Sequence, residues 1–181
     1  LAHADGDGWG AGANAGITWD VAQGHRLAFV YHSAFDIDYS GDFKVSNIPT
    51  DGSLPLPPGA ISSESSFDTT IKYPHVFGLG YGVELSDTVK MGVDFEYITQ
   101  SRFKNMPIDL GSNNILLQNR AIEKDWNDNW TLGTSADWNF ADQWNAFMGY
   151  VYIESPIPDR TFSPLEADAD EHFSFRWVCQ Q

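Results

Sequence analysis

Residues 71–101 read IKYPHVFGLGYGVELSDTVKMGVDFEYITQS. Ile71, Tyr73, His75, Phe77, Leu79, Tyr81, Val83 and Leu85 fall on one parity; Lys72, Pro74, Val76, Gly78, Gly80, Gly82 and Glu84 fall on the other. After Ser86-Asp87-Thr88 the alternation restarts, with Val89, Met91, Val93, Phe95 and Tyr97 against Lys90, Gly92, Asp94 and Glu96. A period of two marks a β-strand, because successive side chains leave opposite faces of the pleat. Two such runs about a short polar turn make a hairpin. Each run is about ten residues long, the length at which a tilted strand crosses a bilayer. One face is apolar and aromatic, and the other mixes glycine with charge, as in a membrane barrel wall that turns grease to lipid and polarity to a lumen. A soluble antiparallel sheet with one wet face alternates in the same way, so the hairpin alone leaves both open.

The same period recurs on either side. Trp9–Asp20 sets Trp9, Ala11, Ala13, Ala15, Ile17 and Trp19 on one face, with a tryptophan at each end of the stripe. Arg26–Tyr39 sets Leu27, Phe29, Tyr31, Phe35, Ile37 and Tyr39 together. Trp126–Phe140 and Trp144–Tyr152 read as a third hairpin, and a last strand begins at His172. Short turns at 22–25, 86–88 and 141–143 alternate with long loops at 40–66, 102–124 and 155–171, and Ala4–Gly8 reads as an acidic flexible loop. Alternation of short turns and long loops is the asymmetry of up-and-down membrane barrels, and a soluble sandwich has no reason for it. Asp36, Lys90, Asp94, Glu96 and Asp137 sit mid-strand opposite the aromatic stripe. The fold expected is all-β: an antiparallel up-and-down transmembrane β-barrel, here a wall of about seven strands. Seven is odd, and open edges in lipid leave backbone groups unsatisfied, so residues 1–181 are expected to be part of a larger closed sheet and not to fold alone.

Composition narrows the function. The net charge of −15 repels phosphate, which argues against nucleic acid as a partner. No run reaches 18 consecutive apolar residues, so no transmembrane helix is expected; a barrel's strands carry too weak a hydropathy signal for this to count against them. Cys179 is the single cysteine, so no internal disulfide forms. The chain starts at Leu1 without a signal peptide, as a mature or truncated piece would. Asp5 and Asp7 hint at a calcium loop, but Trp9 stands where a third oxygen ligand belongs and no glutamate follows at the right distance; no metal site is expected. His3, His25, His32, His75 and His172 lack a nucleophile in any recognisable motif, so no catalytic set and no cofactor are expected. Pro74 cannot donate to a ladder, which predicts a local bulge or gap there. That gap reads either as simple strand-end distortion or as a kink shaping a ligand path.

The run Gly6-Asp7-Gly8-Trp9-Gly10-Ala11-Gly12-Ala13-Asn14-Ala15-Gly16-Ile17, followed by Arg26-Leu27-Ala28-Phe29-Val30-Tyr31-His32-Ser33, resembles the FadL/TodX family of outer-membrane transporters for long-chain fatty acids and aromatic hydrocarbons. Tyr73-Pro74 with Leu79-Gly80 is similar to the family's Leu-Pro … Leu-Gly strand, and Asp94-Phe95-Glu96-Tyr97 through Ser101-Arg102-Phe103 to its next strand end, although Gln100 replaces the usual tryptophan. Trp126-Asn127-Asp128, Leu132-Gly133, Glu154-Ser155-Pro156-Ile157-Pro158-Asp159 and Pro164 with Asp168-Ala169-Asp170 resemble its last long loops. The resemblance implies a fourteen-stranded barrel plugged by an N-terminal hatch. This chain would be its middle-to-late part, without hatch, first strands or closing strands. The tail Arg176-Trp177-Val178-Cys179-Gln180-Gln181 departs from the Gly-rich alternation the family would show.

The function this resemblance implies is passive uptake of long-chain fatty acids or other hydrophobic compounds across the bacterial outer membrane, in contact with its lipid and lipopolysaccharide; no energy-coupling motif is present. Apolar residues in the long loops, Ile48, Leu54, Leu56 and Ile61, then Phe103, Met106, Ile108, Leu110, Ile115, Leu116 and Leu117, offer a capture surface. Lys124 is the expected partner of a fatty-acid carboxylate, by match to a basic residue of the family, with Phe103 and Leu116 as further ligand-binding candidates; Arg102, Lys104 and Arg120 are alternatives to Lys124. The competing readings are a general porin or a structural or adhesive barrel, and a soluble sandwich that binds a partner through its aromatic face.

Overall fold

The structure, a computed structural model, describes residues 2–45, 64–111, 120–142, 144–163 and 171–179. It contains twelve strands, β1 (Ala2–Trp9), β2 (Asn14–Ala22), β3 (His25–His32), β4 (Phe35–Val45), β5 (Glu64–Tyr73), β6 (Val76–Ser86), β7 (Val89–Ile98), β8 (Asn105–Leu110), β9 (Arg120–Glu123), β10 (Asn129–Ala141), β11 (Trp144–Ile153) and β12 (Glu171–Cys179), with one 3-10 turn at Gln100–Arg102. All pairings are antiparallel. The chain divides into two compact units. One holds a seven-stranded sheet in the order β12-β11-β10-β7-β6-β3-β2; the other holds a five-stranded sheet in the order β1-β4-β5-β8-β9.

The seven-stranded sheet is the wall the alternation predicts. Its turns are local chemistry. Gly24 takes φ +75 between β2 and β3, a conformation glycine adopts without steric cost. Ser86 Oγ accepts the backbone N–H groups of Val89 and Thr88 at 3.1 and 3.3 Å between β6 and β7. The side chains on the apolar parity are open: Trp19 is 65% exposed, Leu79 55% and Trp138 52%. The other parity carries Gly78, Gly80, Gly82, Gly92 and Gly133 among Glu84, Lys90, Asp94, Glu96 and Asp137. Along β6 the register opposes Gly78 to Glu96 and Gly80 to Asp94, and Asp94 in turn faces Gly133. The Asp94 carboxylate lies where a side chain at position 133 would have to go, so the glycine makes room for a charge.

Aromatic rings band the apolar face at both ends. Near one end Tyr31, Phe77, Tyr97 and Trp130 lie opposite one another across four strands, with Tyr31 on Phe77 at 5.1 Å and Trp130 on Tyr152 at 5.1 Å. Toward the short turns stand Trp19, Trp138, Phe140 and Trp144. From Val89 to Ile98 the ladder is ten residues. At roughly 3.3 Å per residue and a tilt of about 40° that is roughly the ~25 Å apolar band of a membrane barrel.

The five-stranded sheet corrects the expectation of three long loops and one acidic loop. Residues 2–9, expected as a flexible loop from Ala4 to Gly8, are β1, paired residue by residue with β4. Within the expected loop 40–66, residues 40–45 belong to β4 and residues 64–66 to β5. The expected loop 102–124 contains β8 and β9. Short side chains make this possible: with Gly6, Gly8 and Gly41 the β1 and β4 backbones approach closely, and a Cβ at Gly41 would strike the Asp5 carbonyl.

Trp9 closes β1: it stands opposite Asp38, and within its own sheet it shares a face with Asp5, Asp7 and Asp38.

The gap predicted at Pro74 is present: β5 ends at Tyr73 and β6 begins at Val76. His75 closes it. Its Nδ1 accepts the Ala34 N–H at 3.1 Å and lies 3.0 Å from the Tyr31 hydroxyl. Its N–H donates to Thr99 Oγ1 at 2.9 Å, and its carbonyl accepts the Thr99 N–H at 3.0 Å.

Candidate functional site

Capture of an apolar ligand needs a hollow with few polar groups and a supporting frame. The five-stranded sheet has one. In β4 and β8, and through most of β5, exposure alternates: Asp36, Asp38, Asp42, Asp68 and Asp109 are open, while Phe35, Ile37, Tyr39, Phe43, Phe67 and Ile108 are half-buried. On this sheltered face Ala4, Phe43, Phe67, Thr69, Met106, Ile108 and Leu110 line a cavity of about 290 Å³. The register brings them together, with Ala4 opposite Phe43, Phe67 opposite Leu110 and Thr69 opposite Ile108. Leu110, 8% exposed, is the one buried apolar side chain among the described residues. The ring of Phe67 lies over Gly6, where a Cβ would meet it at 2.9 Å. Thr69 is the one hydroxyl in the lining, and it donates to the Pro107 carbonyl at 2.6 Å.

A larger hollow, about 500 Å³, lies at the short-turn end of the seven-stranded sheet, lined among others by Asp20, Arg26, Glu84 and Lys90. Arg26 pairs with Asp20 and Lys90 with Glu84, each at 2.6 Å. All four side chains are more than half exposed, so these pairs contribute little. This is a wet, charge-balanced stretch of lumen face, and its chemistry does not suit an apolar ligand.

Of the residues expected at the site, Phe103 and Lys124 come to the same place. The Lys104 carbonyl, next to Phe103, accepts the N–H groups of Lys124 and Asp125, each at 2.9 Å. Lys104 Nζ reaches Asp125 Oδ1 at 3.0 Å, and Asp125 takes φ +48. Neither Phe103 nor Lys124 lines the apolar cavity. Leu116 lies outside the described residues, as do Ile48, Leu54, Leu56, Ile61, Ile115 and Leu117. Met106, Ile108 and Leu110, expected on the capture surface, do line it. Ala4, Phe43, Phe67 and Thr69 were not expected there. Phe43 and Phe67 stand in stretches dominated by Asp, Ser, Thr and Lys, and their shared face becomes visible once β4 is paired with β5. Arg102 sits in the 3-10 turn, and the backbone of Arg120 pairs with that of Ile108.

A sheet of tilted antiparallel strands, bare apolar and aromatic on one face and glycine-rich and charged on the other, is the wall of a membrane β-barrel. The comparisons agree. The profile of the outer membrane protein transport protein family (OMPP1/FadL/TodX) matches residues 1–173, and the chain belongs to that family. It is 24% identical over 162 residues to the long-chain fatty acid transport protein of Escherichia coli O6:H1, covering 87% of this chain and 36% of that protein. Its fold matches a Pseudomonas aeruginosa FadL homologue with a TM-score of 0.70 at 21% identity, over 83% of this chain and 35% of that one. It matches the Pseudomonas putida toluene transporter TodX with a TM-score of 0.64 at 18% identity, over 93% and 39%. The chain thus spans a little over a third of the length of these relatives. It forms part of a bacterial outer-membrane β-barrel.

Proposed function

We propose that this chain is the middle-to-late part of a longer barrel that passively takes up hydrophobic compounds, long-chain fatty acids or aromatic hydrocarbons, across the outer membrane. The hatch, first strands and closing strands would lie outside residues 1–181. The edges of the seven-stranded sheet, β2 and β12, support this, since a strand edge in lipid needs a partner. The observation that carries the reading is the apolar cavity among Phe43, Phe67, Ile108 and Leu110. A general porin works through charged rings in its lumen and has no use for such a cavity. A structural or adhesive barrel has no use for it either. In this reading the protein is not an enzyme, and its partners are the apolar compound, the outer-membrane lipid and lipopolysaccharide. Lys124 would meet a fatty-acid carboxylate, with Phe103 and Leu116 against the tail.

The test is uptake by cells that lack their own transporter of this kind and carry the full-length protein. Labelled oleate or toluene should accumulate, and Lys124→Gln should lower oleate uptake severalfold while sparing toluene. Swelling of proteoliposomes in sugar without hydrocarbon uptake would favour the porin.

A further inference from the structure

We infer that His75 is a proton switch in the barrel wall. Neutral, its Nδ1 accepts the Ala34 N–H. Charged, it donates to the Tyr31 hydroxyl instead, and the joint between β3 and β6 loses its main-chain hydrogen bond. The inference goes beyond the uptake reading and stands without it.

Where the ladders of β2, β3, β6 and β7 end, three joints tie these strands, and each uses a side chain as a main-chain acceptor. Ala13 and Ser33 continue the β2–β3 register. Ser33 N–H donates to the Ala13 carbonyl and Ala13 N–H to Ser33 Oγ, both at 2.8 Å. His75 and Thr99 continue the β6–β7 register. His75 N–H donates to Thr99 Oγ1 at 2.9 Å, and Thr99 N–H to the His75 carbonyl at 3.0 Å. The middle joint is different. The β3–β6 register would set Ala34 opposite Pro74, and proline has no N–H to give. Among the described residues one main-chain N–H closes this joint, that of Ala34, and it goes to His75 Nδ1 at 3.1 Å. Pairing resumes at Phe35 and Tyr73, so a change here is confined to the joint. Of the three side-chain acceptors, Ser33 Oγ, Thr99 Oγ1 and His75 Nδ1, only the last can take up a proton near neutrality.

The ring is half-buried and stacks on Tyr31, with centroids 5.9 Å apart and Nδ1 3.0 Å from the Tyr31 hydroxyl. An Nδ1 that accepts an amide N–H carries no proton; once protonated it is a donor. Two donors cannot share the joint, so the Ala34 N–H is released. The Tyr31 oxygen, which both donates and accepts, remains as partner of the charged ring. The titratable groups on this face are Tyr31 from β3 and Tyr97 from β7, the latter donating to Asp128 Oδ2 at 2.9 Å; β6 itself adds Phe77. His32, next along β3, lies on the other face beside Asn14 Oδ1, at 2.8 Å. Among the described residues no carboxylate is hydrogen-bonded to the His75 ring. No fixed countercharge therefore locks the ring in its charged form, and its state follows the surroundings. The long-loop end of such a wall faces the medium, so the acidity outside the cell is what the switch reads.

The test is amide hydrogen exchange, read by NMR on the full-length protein in lipid nanodiscs and corrected for the intrinsic pH dependence of exchange. Between pH 8 and pH 5, the range over which imidazoles charge, protection of the Ala34 amide should fall about tenfold, the loss of one hydrogen bond. The Ala13 and His75 amides, in the two neighbouring joints, should keep theirs. The fall should follow the same midpoint as the His75 ring nitrogen shifts. His75→Asn, whose side chain offers an acceptor that does not titrate, should abolish the pH dependence. Tyr31→Phe removes the partner of the charged ring and should move the midpoint to lower pH, which keeps the test alive should the asparagine variant fail to assemble. Constant Ala34 protection in the native protein overturns the inference. So does equal loss at Ala13 and His75, which would mean general loosening, or a pH response that survives in His75→Asn. An unmoved midpoint in Tyr31→Phe overturns the exchange of partners.

Discussion

From Val76 to Gly82 in β6 the open side chains are Phe77, Leu79 and Tyr81, and the sheltered positions are Val76, Gly78, Gly80 and Gly82. In β4 the open ones are Asp36, Asp38, Ser40, Asp42 and Lys44, and the sheltered ones Phe35, Ile37, Tyr39, Gly41 and Phe43. Both strands alternate with the same period, and they shelter opposite chemistries. A sheet in water hides its apolar face, as the five-stranded sheet does. A barrel wall in hydrocarbon has nothing to gain from hiding it, and the seven-stranded sheet leaves it bare. The period of two identifies a strand; which parity is covered identifies its solvent.

The largest effect that would break this comparison is a charge set on the bare face. Val93 is 46% exposed and faces Tyr81 and Thr134 in mid-ladder. Val93→Lys should cost about 2–4 kcal/mol in lipid, read as a lower unfolding midpoint of the full-length protein in vesicles. No loss would mean that Val93 faces water.

Glycine gives the next contrast. Gly41→Ala drives a Cβ into the Asp5 backbone carbonyl and should cost about 1–3 kcal/mol by overpacking. Gly80→Ala meets only the Ala28 Cβ, at 3.6 Å, and should be neutral or stabilise by about 0.5 kcal/mol through the lost freedom of the unfolded chain. Thermal melts of the two variants side by side check this.

His75→Phe keeps a ring beside Tyr31 and Phe77 but removes the acceptor for Ala34 N–H and the partner of the Tyr31 hydroxyl. A stability loss of about 1–3 kcal/mol is expected, with faster amide exchange at Ala34 as its local signature. The smallest change should be Asp42→Lys. It replaces one of two directly opposed carboxylates on a water-facing surface, so stability should move by no more than about 0.5 kcal/mol.

The seven-stranded wall was legible because Phe, Tyr, Trp, Val and Leu alternate with Gly and charge over whole strands. The five-stranded sheet was legible only in part. Ala4-Asp5-Gly6-Asp7-Gly8 also alternates, but between small and acidic residues, and that pattern reads as loop until a partner strand is known. Met106, Ile108 and Leu110 alternate too, with Pro107 between them masking the run. The candidate cavity was half-read for the same reason: β8 supplied the residues that stood out as apolar, while Phe43 and Phe67 acquire a common face only through pairing.

The claim that these two sheets meet different solvents is tested most directly by spin-label accessibility along β6 and β4 of the full-length protein in a bilayer. Labels at 77, 79 and 81 should collide with oxygen dissolved in the lipid, and labels at 78, 80 and 82 with a water-soluble nickel chelate. In β4 the chelate should reach 36, 38 and 42, with 37, 39 and 43 shielded from both reagents. Chelate access at 77, 79 and 81, or no alternation along β6, would contradict the account.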